Sequence, residues 1–105
     1  RGQFGPEGAG WKKWEVVGPT ELPAADGWLK PRALSVEEIE ELVLKFAAAA
    51  KRADAAGYDV LEVHGAHGYL LAQFLSPISN TRNDQYGGDR AGRMRFPLDV
   101  ARAVR

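Results

Sequence analysis

The two histidines of this 105-residue chain, His64 and His67, lie three residues apart, and Tyr69 follows two residues later. Imidazole N–H groups can donate hydrogen bonds to a carbonyl oxygen and stabilise negative charge as it develops there. Phenols ionise only near pH ~10, so a tyrosine is still protonated at neutral pH and has a proton to donate to a carbon or oxygen atom. Together these groups could polarise an unsaturated carbonyl and protonate the resulting enolate. They cannot deliver a hydride, so such a reaction requires a redox cofactor.

The residue types alone leave two other interpretations open. Histidine is the commonest metal-binding side chain, but the chain has no cysteine and lacks the His-x-x-x-His spacing of helical zinc sites. With only two nitrogen ligands available, we predict no metal site. A structural role, in which these side chains merely satisfy local hydrogen bonds, is the third interpretation.

The composition of the chain argues against two classes of binding partner. The formal net charge is zero and no apolar run approaches the ~20 residues that span a bilayer, so we expect neither nucleic acid nor membrane as a partner. The absence of cysteine fits a reducing compartment, and we expect a cytoplasmic protein. Arginines crowd the C-terminal end, where we interpret them as an ordinary charged helix surface: Arg90, Arg93, Arg95, Arg102 and Arg105.

The elements that must position these groups begin after a long loop. Residues 1–34 are rich in glycine and proline, hold no helical or alternating pattern, and are predicted to be an irregular loop. Its four early glycines lack the Gly-Lys-Ser/Thr ending of a phosphate cradle. Residues 14–17 are the best candidate there for a short strand.

Residues 35–105 are predicted to form a helix, a strand, a loop and further helices. Ser35 and Glu38 form a capping box, apolar residues then recur at helical spacing, and Gly57 is a natural stop. The β-branched segment 58–64 is predicted to be a strand. It would carry the histidines to its C-terminal end, where β/α barrels gather catalytic groups. One strand lacks neighbours for its backbone, so we expect a piece of a larger β/α array.

The rest of the chain is predicted to hold the site in place. Residues 70–75 favour a short amphipathic helix ended by Pro77. Asp89 can cap a final helix, which Pro97 would kink or divide. The loop between them carries polar side chains suited to a network that pins it over a site: Asn80, Arg82, Asp84 and Tyr86.

Five ordered blocks resemble the old yellow enzymes, also called NADH:flavin oxidoreductases. They are residues 55–63, His-Gly-Ala-His-Gly-Tyr-Leu at 64–70, Gln-Phe-Leu-Ser-Pro at 73–77, the Ser-Asn-x-Arg-x-Asp-x-Tyr-Gly-Gly pattern at 79–88, and Arg-x-Arg-Phe at 93–96. The chain departs from the family at residues 89–92, where Asp-Arg-Ala-Gly replaces the usual Ser-x-Glu-Asn, which puts the local helix cap in question.

The resemblance implies a fragment of a (β/α)8 TIM barrel, within the α/β class. The chain would supply the loop after strand 3, helix 3, strand 4, the active-site loop and helix 4, with Glu62 pointing into the barrel towards a basic partner on another strand. By the same resemblance, His64 and His67 bind the substrate carbonyl or nitro oxygen and Tyr69 is the catalytic proton donor. FMN is the implied cofactor, with NADH or NADPH as reductant, and its principal ligands would lie outside this chain.

The function implied is reduction of the C=C bond of α,β-unsaturated carbonyl or nitro compounds. A 2,4-dienoyl-CoA reductase-like flavoenzyme is the nearest alternative. A metal-dependent barrel hydrolase and a non-catalytic interaction module are alternatives of other classes. We expect a small-molecule substrate, and the sequence leaves a homo-oligomer of the full-length protein open.

Overall fold

The computed structural model describes residues 15–23 and 25–105. The four early glycines, Trp11 and Trp14 therefore lie outside the described residues. In chain order the elements are strand β1 (Val17–Gly18), strand β2 (Arg32–Ala33), helix α1 (Val36–Ala55), helix α2 (Leu70–Leu75) and helix α3 (Arg90–Val104). None of the described helices has the length and apolar character required to cross a membrane.

The two short strands correct the prediction that residues 1–34 form only an irregular loop. β1 and β2 pair in parallel, with Val17 opposite Arg32 and Gly18 opposite Ala33. The ladder is bordered by a hydrogen bond from the Arg32 N–H to the Val16 carbonyl at 2.8 Å. Strands of two residues are too short for a repeating pattern, which is why the sequence did not reveal them. The predicted strand at residues 14–17 overlaps β1 only at Val17.

Helix α1 begins and ends as its sequence predicts. The Ser35 hydroxyl accepts a hydrogen bond from the Glu38 N–H at 3.2 Å, and the Glu38 carboxylate accepts one from the Ser35 N–H at 2.8 Å. This reciprocal pair satisfies two backbone donors that the first turn leaves free. Beyond the helix, Gly57 has a left-handed φ of 84°, which glycine adopts without steric cost.

A small apolar core joins the helices. Its buried members come from the residue that follows β2, from the three helices and from the loop before α3: Leu34, Ile39, Leu71, Phe74, Tyr86, Phe96 and Val100. The rings of Phe74 and Phe96 meet edge to face, with centroids 4.7 Å apart, a preferred geometry for aromatic pairs. Because Phe74 lies on α2 and Phe96 on α3, this contact fixes the short helix that follows the histidines.

Helices α2 and α3 confirm two predicted ends and correct one prediction. α2 ends at Leu75, two residues before Pro77, and the Asp89 carboxylate caps α3 by accepting a hydrogen bond from the Gly92 N–H at 2.8 Å. The departure from the family pattern at residues 89–92 therefore leaves the cap intact. α3 is not divided at Pro97, which lies inside one continuous helix.

The predicted strand at residues 58–64 is not a strand in this structure. No strand is assigned between α1 and α2. Val63 packs against the core, while Val60 and Leu61 are 82% and 45% exposed, so most of the segment lies at the surface. A strand is defined by ladder partners, and the described residues offer none here. The segment is therefore strand-like in sequence but unpaired.

Candidate active site

The structure brings the three predicted site residues together. The ring centroid of His64 lies 5.3 Å from that of His67 and 5.2 Å from that of Tyr69. All three side chains are exposed, Tyr69 by 41%. Within residues 15–23 and 25–105, no hydrogen bond to these side chains is formed. Two imidazoles and a phenol thus form one cluster whose polar atoms are available to a ligand.

A tight turn creates this cluster. His67 and Gly68 both have left-handed backbones, with φ of 56° and 70°, and the Tyr69 N–H donates to the Ala66 carbonyl at 3.1 Å. The reversal places Tyr69 at the N-cap of α2. As a result the side chains of His67 and Tyr69 both return to His64 at the end of the extended segment.

Gln73 is a residue of this site that the sequence reasoning did not single out. Its side-chain amide donates to the Gly68 carbonyl at 2.8 Å, and its backbone N–H donates to the Tyr69 carbonyl at 2.8 Å. The available signal was its spacing: a residue four positions after Tyr69, on the first turns of a helix, can reach back to the preceding turn.

The loop behind the site, residues 76–88, is held by buried hydrogen bonds, as predicted from its polar residues. The Asn80 side-chain amide donates to the carbonyls of Phe74 and Tyr86 at 2.7 and 2.8 Å, and its oxygen accepts from the Arg82 N–H at 3.1 Å. Asn80 is only 3% exposed. Three bonds satisfy most of its capacity, which burial demands.

Arg82 connects this loop to the β1–β2 region. Its guanidinium donates to the carbonyls of Pro19 and Leu34 at 2.9 and 2.7 Å and forms a paired contact with Asp84. The hydrogen bonds from Arg82 hold the pKa of the Asp84 carboxyl below its usual range, with a smaller contribution from the Tyr86 N–H. Bonds from all three of its nitrogens engage four of the five N–H donors of this planar fork.

The last glycines of the loop permit a close backbone contact. A Cβ at Gly87 would overlap the backbone and Cβ of Arg82. The Gly88 N–H meanwhile donates to the Arg82 carbonyl at 2.8 Å. Burial also raises the pKa of the neighbouring Tyr86 phenol. Tyr86 therefore belongs to the core and not to the exposed cluster.

Two further predictions concern charge and metal. Glu62 forms no ion pair with any residue that the structure describes, so its basic partner on another strand stays a prediction. Across the same ranges, no group of three or more His, Cys, Asp or Glu residues is arranged to hold a metal ion.

Hydrogen-bond donors and a proton donor, without a hydride source of their own, fit a reductase that depends on a bound cofactor. The chain belongs to the NADH:flavin oxidoreductase / NADH oxidase family, whose sequence model matches residues 12–105. The predicted membership in the old yellow enzyme family is thereby confirmed. FMN and a nicotinamide reductant, the predicted cofactors, are confirmed at the level of the family.

The similar proteins are oxidoreductases and are longer than this chain. It is 52% identical over 91 residues to an NADPH dehydrogenase of Clostridium acetobutylicum, covering 87% of this chain and 27% of that protein. It is 48% identical over 91 residues to an NADH oxidase of Thermoanaerobacter brockii, covering 87% of this chain and 14% of that protein. The chain thus spans at most 27% of the length of these two relatives.

The structure also resembles that of a solved reductase. It superposes on morphinone reductase in complex with tetrahydroNAD with a TM-score of 0.83 and 39% sequence identity, covering 88% of this chain and 30% of that one. The family match and the structural similarity therefore agree in placing the chain among oxidoreductases of this family.

Proposed function

We propose that this chain forms part of the substrate site of an FMN-dependent NAD(P)H oxidoreductase that reduces the C=C bond of α,β-unsaturated carbonyl or nitro compounds. The observation that carries the proposal is the exposed cluster of His64, His67 and Tyr69. The ring centroid of His64 lies 5.3 Å from that of His67 and 5.2 Å from that of Tyr69. We include a cytoplasmic location in the proposal, because NADH and NADPH are supplied there.

The chain would occupy one part of a (β/α)8 barrel. In this proposal α1 is helix 3, residues 58–64 are strand 4, residues 65–88 contain the active-site loop and α3 is helix 4. The unpaired segment 58–64 supports it, since its strand-like sequence would need neighbouring strands to satisfy its backbone groups. So does the limited share of the relatives that the chain spans, as barrels of this kind need about 250 residues.

The donor set fits a flavin in function. When bound, FMN would supply the hydride that none of these side chains can provide. His64 and His67 would donate hydrogen bonds to the carbonyl or nitro oxygen and stabilise the negative charge that develops on it. No residue of this chain is assigned to hold the flavin itself.

Tyr69 would complete the reduction with its proton. The hydride adds at the β-carbon, the double-bond electrons move onto the carbonyl or nitro group, and the phenolic proton of Tyr69 goes to the α-carbon. The phenol is 41% exposed, and its hydroxyl makes no hydrogen bond with any described residue. It is therefore free to point at a ligand that the imidazoles hold, within the reach that proton transfer requires.

A 2,4-dienoyl-CoA reductase-like enzyme is a second candidate. The observation in its favour is that the family includes much longer members, since the same 91 residues cover 14% of one relative and 27% of another. An unsaturated thioester presents the same carbonyl to the two imidazoles. Faster turnover of a dienoyl-CoA than of a simple cyclic enone would favour this candidate.

The proposal is tested on the complete purified protein. It should be yellow, lose its flavin absorbance when NADPH is added without oxygen, and regain it when 2-cyclohexenone follows. A chelator should leave that cycle unchanged. A colourless protein that releases no flavin on denaturation would refute the proposal. A protein that contains stoichiometric zinc and loses its activity when a chelator is added would point to a hydrolase.

A further inference from the structure

The turn that joins the two histidines to the tyrosine is held by one side chain, that of Gln73. We propose that Gln73 is a positioning residue that sets the conformation of residues 67–69 and thereby the alignment of His67 and Tyr69 towards the substrate. The inference rests on the proposed function, because that function makes the spacing of these groups matter.

Gln73 forms hydrogen bonds with the backbone on both sides of Tyr69. Its side-chain Nε2 donates to the Gly68 carbonyl at 2.8 Å, immediately before Tyr69, and its backbone N–H donates to the Tyr69 carbonyl at 2.8 Å. The second bond is an ordinary first bond of helix α2. The first is not part of any helix, and it fixes the peptide plane between Gly68 and Tyr69.

The turn needs such a restraint. His67 is the one residue other than glycine with a positive φ within residues 15–23 and 25–105, and an L-residue adopts this conformation at a cost because of its Cβ. Gly68 follows with a second left-handed φ. No atom would lie within 4 Å of a Cβ at Gly68. Packing therefore does not lock the turn here, and hydrogen bonds must.

Gln73 is itself held from two directions. Its backbone carbonyl accepts a hydrogen bond from the Ser79 hydroxyl at 2.9 Å. Its Oε1 faces strand β1, so closely that a Cβ built on Gly18 would lie 3.2 Å from that oxygen. The amide is therefore confined between β1 and the turn, and it transmits the position of loop 76–88 to the exposed cluster.

The test compares two substitutions in the complete flavoenzyme, each of which removes one side-chain hydrogen bond to a backbone carbonyl. Gln73→Leu removes the bond to the Gly68 carbonyl. Thr20→Val removes the bond from the Thr20 hydroxyl to the Ser79 carbonyl, 2.6 Å long in the parent, which does not touch the turn. The probe is 4-hydroxybenzaldehyde, titrated against the flavin absorbance of the oxidised enzyme.

We expect Gln73→Leu to raise the dissociation constant of this phenol about 10-fold and to slow enone reduction by a similar factor. Thr20→Val should stay within about twofold of the parent. Gln73→Lys, which keeps an N–H donor of similar reach, should restore most of the affinity. A role in folding alone would lower the yield or melting temperature of Gln73→Leu without this selective recovery.

Each outcome has a separate meaning. If the parent binds the phenol and Gln73→Leu binds it as well as Thr20→Val does, the positioning role is wrong and the proposed function stands. If the parent binds neither flavin nor phenol, the proposed function fails and the inference with it. If Gln73→Leu yields no yellow protein, Gln73→Lys decides: affinity within about threefold of the parent supports the role, and a larger loss contradicts it.

Discussion

Two neighbouring regions of this chain satisfy their polar groups in opposite ways. In residues 76–88, Asn80 is 3% exposed and makes three side-chain hydrogen bonds, and Arg82 reaches carbonyls 48 and 63 residues away. In residues 58–69, Tyr58 and Val60 are 71% and 82% exposed, and the imidazoles have no hydrogen bond among the described residues. The first region is complete within the chain, whereas the second presents its groups to something else.

This difference separates residues that stabilise the fold from residues whose polar groups are free to contact a ligand. A side chain whose donors are mostly engaged, such as Arg82, has little left for a ligand, and its removal should lower the stability of the fold. A side chain with free donors, such as His64, contributes little to the fold and can act on a substrate. Substitutions in the two regions should therefore affect different measurements.

The largest expected effect is kinetic and belongs to the exposed region. In the complete enzyme, Tyr69→Phe should slow enone reduction by a factor on the order of 10²–10⁴, because the proton donor is lost. Flavin reduction by NADPH should change far less, since that half-reaction needs no proton from Tyr69. Stopped-flow measurement of the two half-reactions checks this. An equal fall in both would show that Tyr69 is not the proton donor.

The hydrogen-bonded loop of residues 76–88 should give the next effect, on stability. Arg82→Met removes the donors to the carbonyls of Pro19 and Leu34 and leaves the Asp84 carboxylate only its bond from the Tyr86 N–H, so we expect a loss of about 2–4 kcal/mol in the free energy of unfolding. Urea denaturation of the complete protein measures it. The matched control is Arg102→Met, whose exposed ion pair with Asp99 should contribute less than about 1 kcal/mol. Equal losses would contradict the contrast.

His64→Ala should have the opposite effect to Arg82→Met, because it should change ligand binding and leave stability unchanged. His64→Ala should weaken 4-hydroxybenzaldehyde binding about 10-fold, the effect of a lost hydrogen bond to a ligand anion. Its urea midpoint should remain that of the parent, because the side chain has no hydrogen bond within the described residues. His64 is preferred to His67 here, since Ala at a left-handed φ would add backbone strain. A lowered midpoint with unchanged binding would make His64 structural.

How much of this the sequence predicted follows the same division. The capping box of Ser35 and Glu38, the stop at Gly57 and the Asp89 cap are local devices, and the structure confirms all three. Spacing and resemblance predicted that His64, His67 and Tyr69 lie close together, and the distances between their rings agree with this. These features depend on residues within a few positions of one another.

What the sequence did not reveal depends on distant partners. The pairing of β1 with β2 joins residues 15 positions apart through two-residue strands, which carry no periodic signal. The segment 58–64 has the composition of a strand but lacks the neighbours that define one. The reach of Arg82 to Pro19 and Leu34 is likewise invisible to spacing along the chain.

The smallest effect is expected where a satisfied network lies at the surface. Glu38 accepts hydrogen bonds from Arg32 and from the Ser35 N–H, and these lower its pKa from the usual 4.5 to about 2. A carboxyl with a depressed folded-state pKa contributes stability that is complete above its unfolded pKa and is lost as the pH falls from about 4.5 towards 2.

Glu38→Gln should isolate that contribution, because glutamine can keep the capping box while the charge is lost. Between pH 4.5 and 2 the urea midpoint of the parent should fall more steeply than that of the variant. The gap should narrow at high salt, since Arg32 and Glu38 are exposed and their attraction is screened. Parallel pH profiles at low salt would contradict this. They would mean that the charge of Glu38, despite its short contacts with Arg32, adds little to the stability of the protein.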